Sequence, residues 1–240
     1  AYANLKRYNK LFPCLDRYEA CINRGDRKIM GLTDVSFEPN TLRAVAYMEL
    51  GDYGKAVAEA EKAFRIVEER DLMRAYRIRV LSTLSLAHAL NSDRAKAVQY
   101  AASLEDIGTY YPFVLLKTDK VVGLARTYMA LGDYRKSLEF IEDDVASSFW
   151  RGLSTAAVTV TGILTPDDSM FVYQTLPKYF IYAKSLFETG KMKEAKEQYD
   201  QLLKIPQTRF NGEIHWMALY DRGRIAEKEG NLKDAIEFYT

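Results

Sequence analysis

The residues able to do chemistry are few and far apart. The chain has two histidines and two cysteines in 240 residues. Cys14 and Cys21 stand seven apart on what reads as one helix, about 10 Å along its axis at ~1.5 Å per residue. They are too distant to bridge each other without unwinding it. Two thiols without a disulfide framework fit a reducing compartment, and the expected location is cytoplasmic. His215 precedes Trp216 at an expected helix start, where capping or exposure is the natural role. The pairs Asp143-Asp144 and Asp167-Asp168 have the chemistry to bind a cation or to act as acid and base. The first pair is read instead as the end of a helix, and the second, after Pro166, as a solvated turn. The sequence contains no Gly-rich phosphate loop, no GxSxG, no HExxH and no Cys or His cluster at metal-binding spacing. The expectation is a non-enzyme with no catalytic residue, no metal and no cofactor.

Charge narrows the partners. With 34 Lys and Arg against 33 Asp and Glu, the net charge of +1 creates no global field to gather nucleic acid or an anionic membrane. The longest small and apolar run, Gly152 to Leu164, falls short of the roughly 18 to 20 residues of a membrane span. Neither nucleic acid nor membrane insertion is expected, and recognition must be local. Ala1 opens inside one helical pattern and Thr240 closes inside another, so the chain reads as a fragment.

The elements that must position any site are set by an internal repeat. Ala46-Tyr47-Met48-Glu49-Leu50-Gly51-Asp52-Tyr53-Gly54-Lys55-Ala56 returns as Thr127-Tyr128-Met129-Ala130-Leu131-Gly132-Asp133-Tyr134-Arg135-Lys136-Ser137. Weaker copies turn at Gly190 and Gly230, and a fifth turns at Ser92. In each copy a first helix ends at a residue suited to the left-handed conformation. An Asp or Asn after the glycine caps the next helix in three copies, at Asp52, Asp133 and Asn231. Five residues past the turn stands Ala56, Ala97, Ser137, Ala195 or Ala235, small enough to let the two helices close. Tyr53, Tyr134, Met192 and Leu232, two past the turn, are expected to pack over it. His88 falls where Tyr47 and Tyr128 stand in other copies, so a packed imidazole is expected rather than a base.

The pattern Ala44, Tyr47, Gly51, Ala56, repeated as Ala125, Tyr128, Gly132, Ser137, resembles the tetratricopeptide repeat family. The resemblance implies an all-α fold, a right-handed α-α superhelix or solenoid of antiparallel helix pairs. The turns at 51, 92, 132, 190 and 230 are 41, 40, 58 and 40 residues apart, against ~34 for the usual repeat. Long-period arrays of this kind resemble those of kinesin light chains and of several bacterial regulators. One helical-repeat domain is expected over 1–240, with a half repeat at 1–24, repeats at 37–70, 78–111, 118–146, 176–209 and 216–240, and an insertion at 147–171. In the half repeat, Tyr8, Leu11, Leu15 and Tyr18 share a face.

The family resemblance also implies where a partner sits, because first helices line its concave surface. The register puts Arg126, Lys184 and Arg224 at one position of three successive first helices, flanked by Met129, Phe180, Phe187 and Tyr220. That basic and aromatic stripe suits a peptide or protein segment carrying acidic and apolar residues. The alternative is that Asp119, Glu188 or Glu227 neutralises these cations in a solvated groove. Thr41 and Val45 occupy the leading positions of the carboxylate clamp of chaperone-binding members, which disfavours their ligands. The expected function is a protein-interaction scaffold, with self-association as a further option. As an alternative, the run from His215 to Tyr239 resembles the last repeat ahead of CHAT peptidase domains, implying the regulatory arm of a larger enzyme.

Overall fold

The repeated turn is what breaks this helix-prone sequence into pairs. In a computed structural model describing residues 8–24, 35–108, 114–146, 170–205 and 212–240, Gly51, Gly132, Gly190 and Gly230 have φ of 76°, 75°, 85° and 77°, and Ser92 takes the same region at 63°. These are left-handed helix ends. At Gly51 the chain closes the end twice: Gly51 N–H donates to the Met48 carbonyl at 3.1 Å and Asp52 N–H to the Tyr47 carbonyl at 2.9 Å. The carboxylate of Asp52 then accepts from Lys55 N–H at 3.3 Å and starts the next helix. Asp93, Asp133 and Asn231 cap in the same way. Four copies are therefore side-chain capped, one more than the glycine copies alone suggest. The fifth has Lys191, with no side-chain cap.

The chain divides into two compact units, Ala1–Gly132 and Asp133–Thr240. The first unit holds α1 (Tyr8–Asn23), the pair α2 (Glu38–Glu49) and α3 (Tyr53–Glu69), the pair α4 (Arg74–Leu90) and α5 (Arg94–Glu105), and α6 (Val114–Ala130). Each first helix packs on the second helix before it and on the first helix before that: α4 on α3 and α2, α6 on α5 and α4. The second unit holds α7 (Tyr134–Ala146), the pair α8 (Met170–Glu188) and α9 (Met192–Leu203), and the pair α10 (Gly212–Lys228) and α11 (Leu232–Tyr239). There α8 packs on α7, and α10 on α9 and α8. The fold is all-α, of the expected helix-pair type.

The long period has a local cause. Relative to the register, α4, α6 and α10 begin four residues early, at 74, 114 and 212. Four of the surplus residues in each of these repeats thus extend a first helix at its N-terminus. The expected insertion at 147–171 lies outside the described residues up to 169, and Met170 and Phe171 already belong to α8.

Small residues let the helices close. Ala56, Ala97, Ser137 and Ala195 are fully buried and Ala235 nearly so. Around Ala56 and Ala60, Leu84 and Ala87 of α4 fill the core, with Tyr47, Val57 and Phe64 packed beside them. Leu11 and Leu15 of α1 pack on Ala46, with Tyr8 alongside, as the half repeat requires. Leu232 departs from expectation: it is exposed rather than packed over its turn.

Candidate interaction surface

Two first helices of the second unit, α8 and α10, lie side by side and bring Lys184 next to Arg224. Neither cation is bare. Lys184 Nζ lies 2.9 Å from Glu188 and 3.0 Å from Asp221. Arg224 Nη1 lies 3.2 Å from each of the same two carboxylates. Asp221 is buried, and its second oxygen accepts from the hydroxyl of Tyr199 on α9 at 2.8 Å. Burial is thereby compensated on both oxygens, as a buried carboxylate demands. Glu188 acts as predicted for a neutralising acid, and Asp221 is the partner that sequence reasoning missed.

The aromatic part of the stripe is mostly core. Phe187 and Phe180 are buried among Leu176, Ala183, Leu186 and Tyr199. Three cations lie over the buried Phe187 ring: Arg224 at 4.6 Å, Lys228 at 4.5 Å and Lys184 at 5.4 Å from the centroid. Tyr220 is exposed, one turn before Arg224. In the first unit, Arg126 is exposed on α6 and Met129 is half-buried there.

Electrostatics follow the geometry. Burial pushes the Glu188 carboxyl upward, but hydrogen bonds and charge from Lys184 and Arg224 outweigh it and hold the group below the ordinary range. Burial, reinforced by the charge and hydrogen bond of Asp221, drives the Tyr199 phenol far above its usual value, so it stays protonated and donates. Among the described residues, Lys228 makes no ion pair, leaving three cations against two carboxylates on Phe187.

The other chemical residues take structural roles. His88 is buried against Tyr100, ring centroids 5.4 Å apart. Cys14 and Cys21 are free thiols on α1, as spaced in the sequence. Asp143 and Asp144 stand in the last turn of α7, as expected, but Asp144 turns inward. It is buried and ion-paired with the fully buried Lys178, whose ammonium also donates to the Asp144 carbonyl at 3.0 Å. Asp167 and Asp168 lie outside the described residues. Thr41 is buried, bonding the Phe37 carbonyl at 3.0 Å, while Val45 is exposed.

A tetratricopeptide repeat model matches residues 182–240, which hold this surface, and a second matches 38–67. Residues 38–67 and 182–240 are thus tetratricopeptide repeats. Such repeats are in general scaffolds for protein interaction, and that is the function of this array at its coarsest. Both models describe the repeat alone and lend nothing to the resemblance to repeats preceding peptidase domains. Comparison with curated proteins gives no match. No helix among the described residues is long and apolar enough to cross a membrane.

Proposed function

We propose that this tetratricopeptide array holds a peptide or protein segment on the face of its first helices. In the Asp133–Thr240 unit, Lys184, Tyr220 and Arg224 make the contact, with Phe187 and Phe180 as the packed floor beneath them. Arg126 and Met129 of α6 act as contacts in their own unit. One observation carries the reading: three cations ride on Phe187 against two carboxylates, beside an exposed tyrosine. The surplus charge suits a segment that places an acidic side chain next to an apolar one, because the Arg224 fork is already oriented by Glu188 and Asp221. Pairing within the cluster lowers its pull on a distant anion and sharpens its geometry for a near one.

A displayed random-peptide library selected on the chain tests this. Selected sequences are expected to combine Asp or Glu with an aromatic or aliphatic residue, and to lose at least about tenfold in affinity on Lys228→Glu or Tyr220→Ala. Both positions are exposed, so the fold is kept. Peptides that bind both variants as tightly as the parent chain sink the proposal.

A further inference from the structure

The charge on the seam between α8 and α10 can be counted. Lys184, Arg224 and Lys228 lie over Phe187, with Glu188 and Asp221 among them, so three cations face two carboxylates and the cluster carries a net +1. The other charged side chains of these two helices are engaged elsewhere. Lys178 pairs with Asp144 of α7, Arg222 with Asp200 of α9, and Glu227 accepts from the Tyr239 hydroxyl. Glu229, just past α10, pairs with Lys196 of α9 at 2.8 Å. Glu213 lies eight residues before Asp221, about 12 Å along the axis.

The seam is open by its register and not for want of a following repeat. Arg224 and Lys228 stand six and two residues before their turn, where α2 has Val45 and Glu49. Both of those are exposed although α4 packs on α2. Beside α10, Lys184 and Glu188 likewise keep 18% and 23% of their side chains exposed. Arg224 and Lys228 also lean back toward α8, onto Phe187.

The count decides which anion fits. Both hydrogen bonds of Arg224 leave from Nη1, to Glu188 and Asp221 at 3.2 Å each. Its Nη2 and Nε form one edge with two parallel donors, the match for the two oxygens of a carboxylate. A carboxylate brings one charge and neutralises the cluster. A phosphorylated side chain brings close to two, and the excess meets Glu188, whose carboxyl Lys184 and Arg224 already hold ionised. Attraction to a net charge of +1 doubles for a dianion, but the cost of stripping its water grows as the square of the charge, roughly fourfold at equal size.

We propose, resting on the segment-holding reading above, that this seam selects a singly charged carboxylate and turns away a doubly charged phosphate. The partner is then an acidic segment bound in its unphosphorylated form, and a phosphate placed at its anchor releases it.

The test takes a fluorescein-labelled peptide selected from the displayed library and replaces its acidic residue by phosphoserine or by the methyl ester of phosphoserine, which keeps the tetrahedral group with a single charge. Fluorescence polarisation at about pH 8, where the phosphate is a dianion, is expected to show the ester binding at least about fivefold more tightly than phosphoserine. Glu188→Gln removes one carboxylate from the cluster, and the gap between the two peptides is expected to shrink at least about threefold. Circular dichroism checks that this variant keeps its helix content. Phosphoserine bound as tightly as the ester, or a gap that Glu188→Gln leaves unchanged, overturns the proposal. So does the loss of both peptides, because shape and not charge then decides. Selected peptides that ignore Lys228→Glu and Tyr220→Ala sink the segment-holding reading, and this proposal with it.

Discussion

Tyr199 of α9 donates its hydroxyl hydrogen to Asp221 of α10 at 2.8 Å, across a joint where both side chains are buried. The bond ties a second helix to the first helix of the next pair. Tyr199→Phe keeps the ring and removes one donor from a buried carboxylate that retains Lys184 and Arg224. The expected cost is about 1–2 kcal/mol, read as a lower urea midpoint at unchanged slope. The phenol's raised pKa adds a pH signature. A proton held more tightly in the folded state gives stability that is complete below pH 10.0, the ordinary value, and declines as pH rises past it. The Phe variant lacks that alkaline decline.

Glu188 gives the opposite limb. Its folded pKa is depressed, so its contribution is present above the ordinary value of 4.5 and is lost as pH falls through the folded value. Glu188→Gln is expected to lose about 1 kcal/mol at neutral pH, a surface-edge ion-pair magnitude, and to flatten the acid limb of the stability profile. An unchanged profile below pH 4.5 would show that Asp221 alone orients Lys184 and Arg224.

Two glycines matter for opposite reasons. A Cβ on Gly123 of α6 would stand 2.2 Å from Ser82 Oγ and 2.6 Å from Ser82 Cβ on α4. Gly123→Ala therefore pushes two first helices apart, at about 1–3 kcal/mol, and Ser82→Gly in the same chain is expected to restore part of the loss. Gly132 has open space around it but φ of +75°. Gly132→Ala costs about 1 kcal/mol through the backbone, and no neighbouring substitution rescues it. Equal response of both variants to Ser82→Gly in thermal denaturation would refute the distinction.

Sequence displayed what the chain does locally and hid what it does at a distance. The turns at Gly51 and Gly132, the caps at Asp52 and Asp133 and the small Ala56 and Ser137 were legible because each requirement acts within a few residues. The Lys178–Asp144 pair spans 34 residues, and nothing in an Asp143-Asp144 doublet says which acid turns inward. Asp221 was hidden for the same reason, since its partners stand on α8, α9 and its own helix. The stripe of Lys184 and Arg224 was found by register, but register alone could not tell that Phe180 and Phe187 lie in the core beneath it. A face wide enough to serve both core and surface has no sharp boundary in a 3.6-residue period.

His88 is expected to make the stability of the first unit fall at mildly acid pH. Its ring is buried on Tyr100, with Nδ1 3.3 Å from Asp93 and Nε2 3.7 Å from Glu61, while Lys96 stands 3.6 Å from the same Glu61 oxygen. Burial lowers the imidazole pKa, and the charges of Asp93 and Glu61 pull back without cancelling it. A depressed value means that the unfolded chain takes the proton first. Stability is then whole above pH 6.5 and falls as the pH drops below it. His88→Tyr installs the residue found at Tyr47 and Tyr128, which titrates far from this range. The variant is expected to keep a flat urea midpoint between pH 7 and pH 5.5, where the parent chain declines. Parallel midpoints would mean that Asp93 and Glu61 hold the protonated ring as well as the buried pocket holds the neutral one.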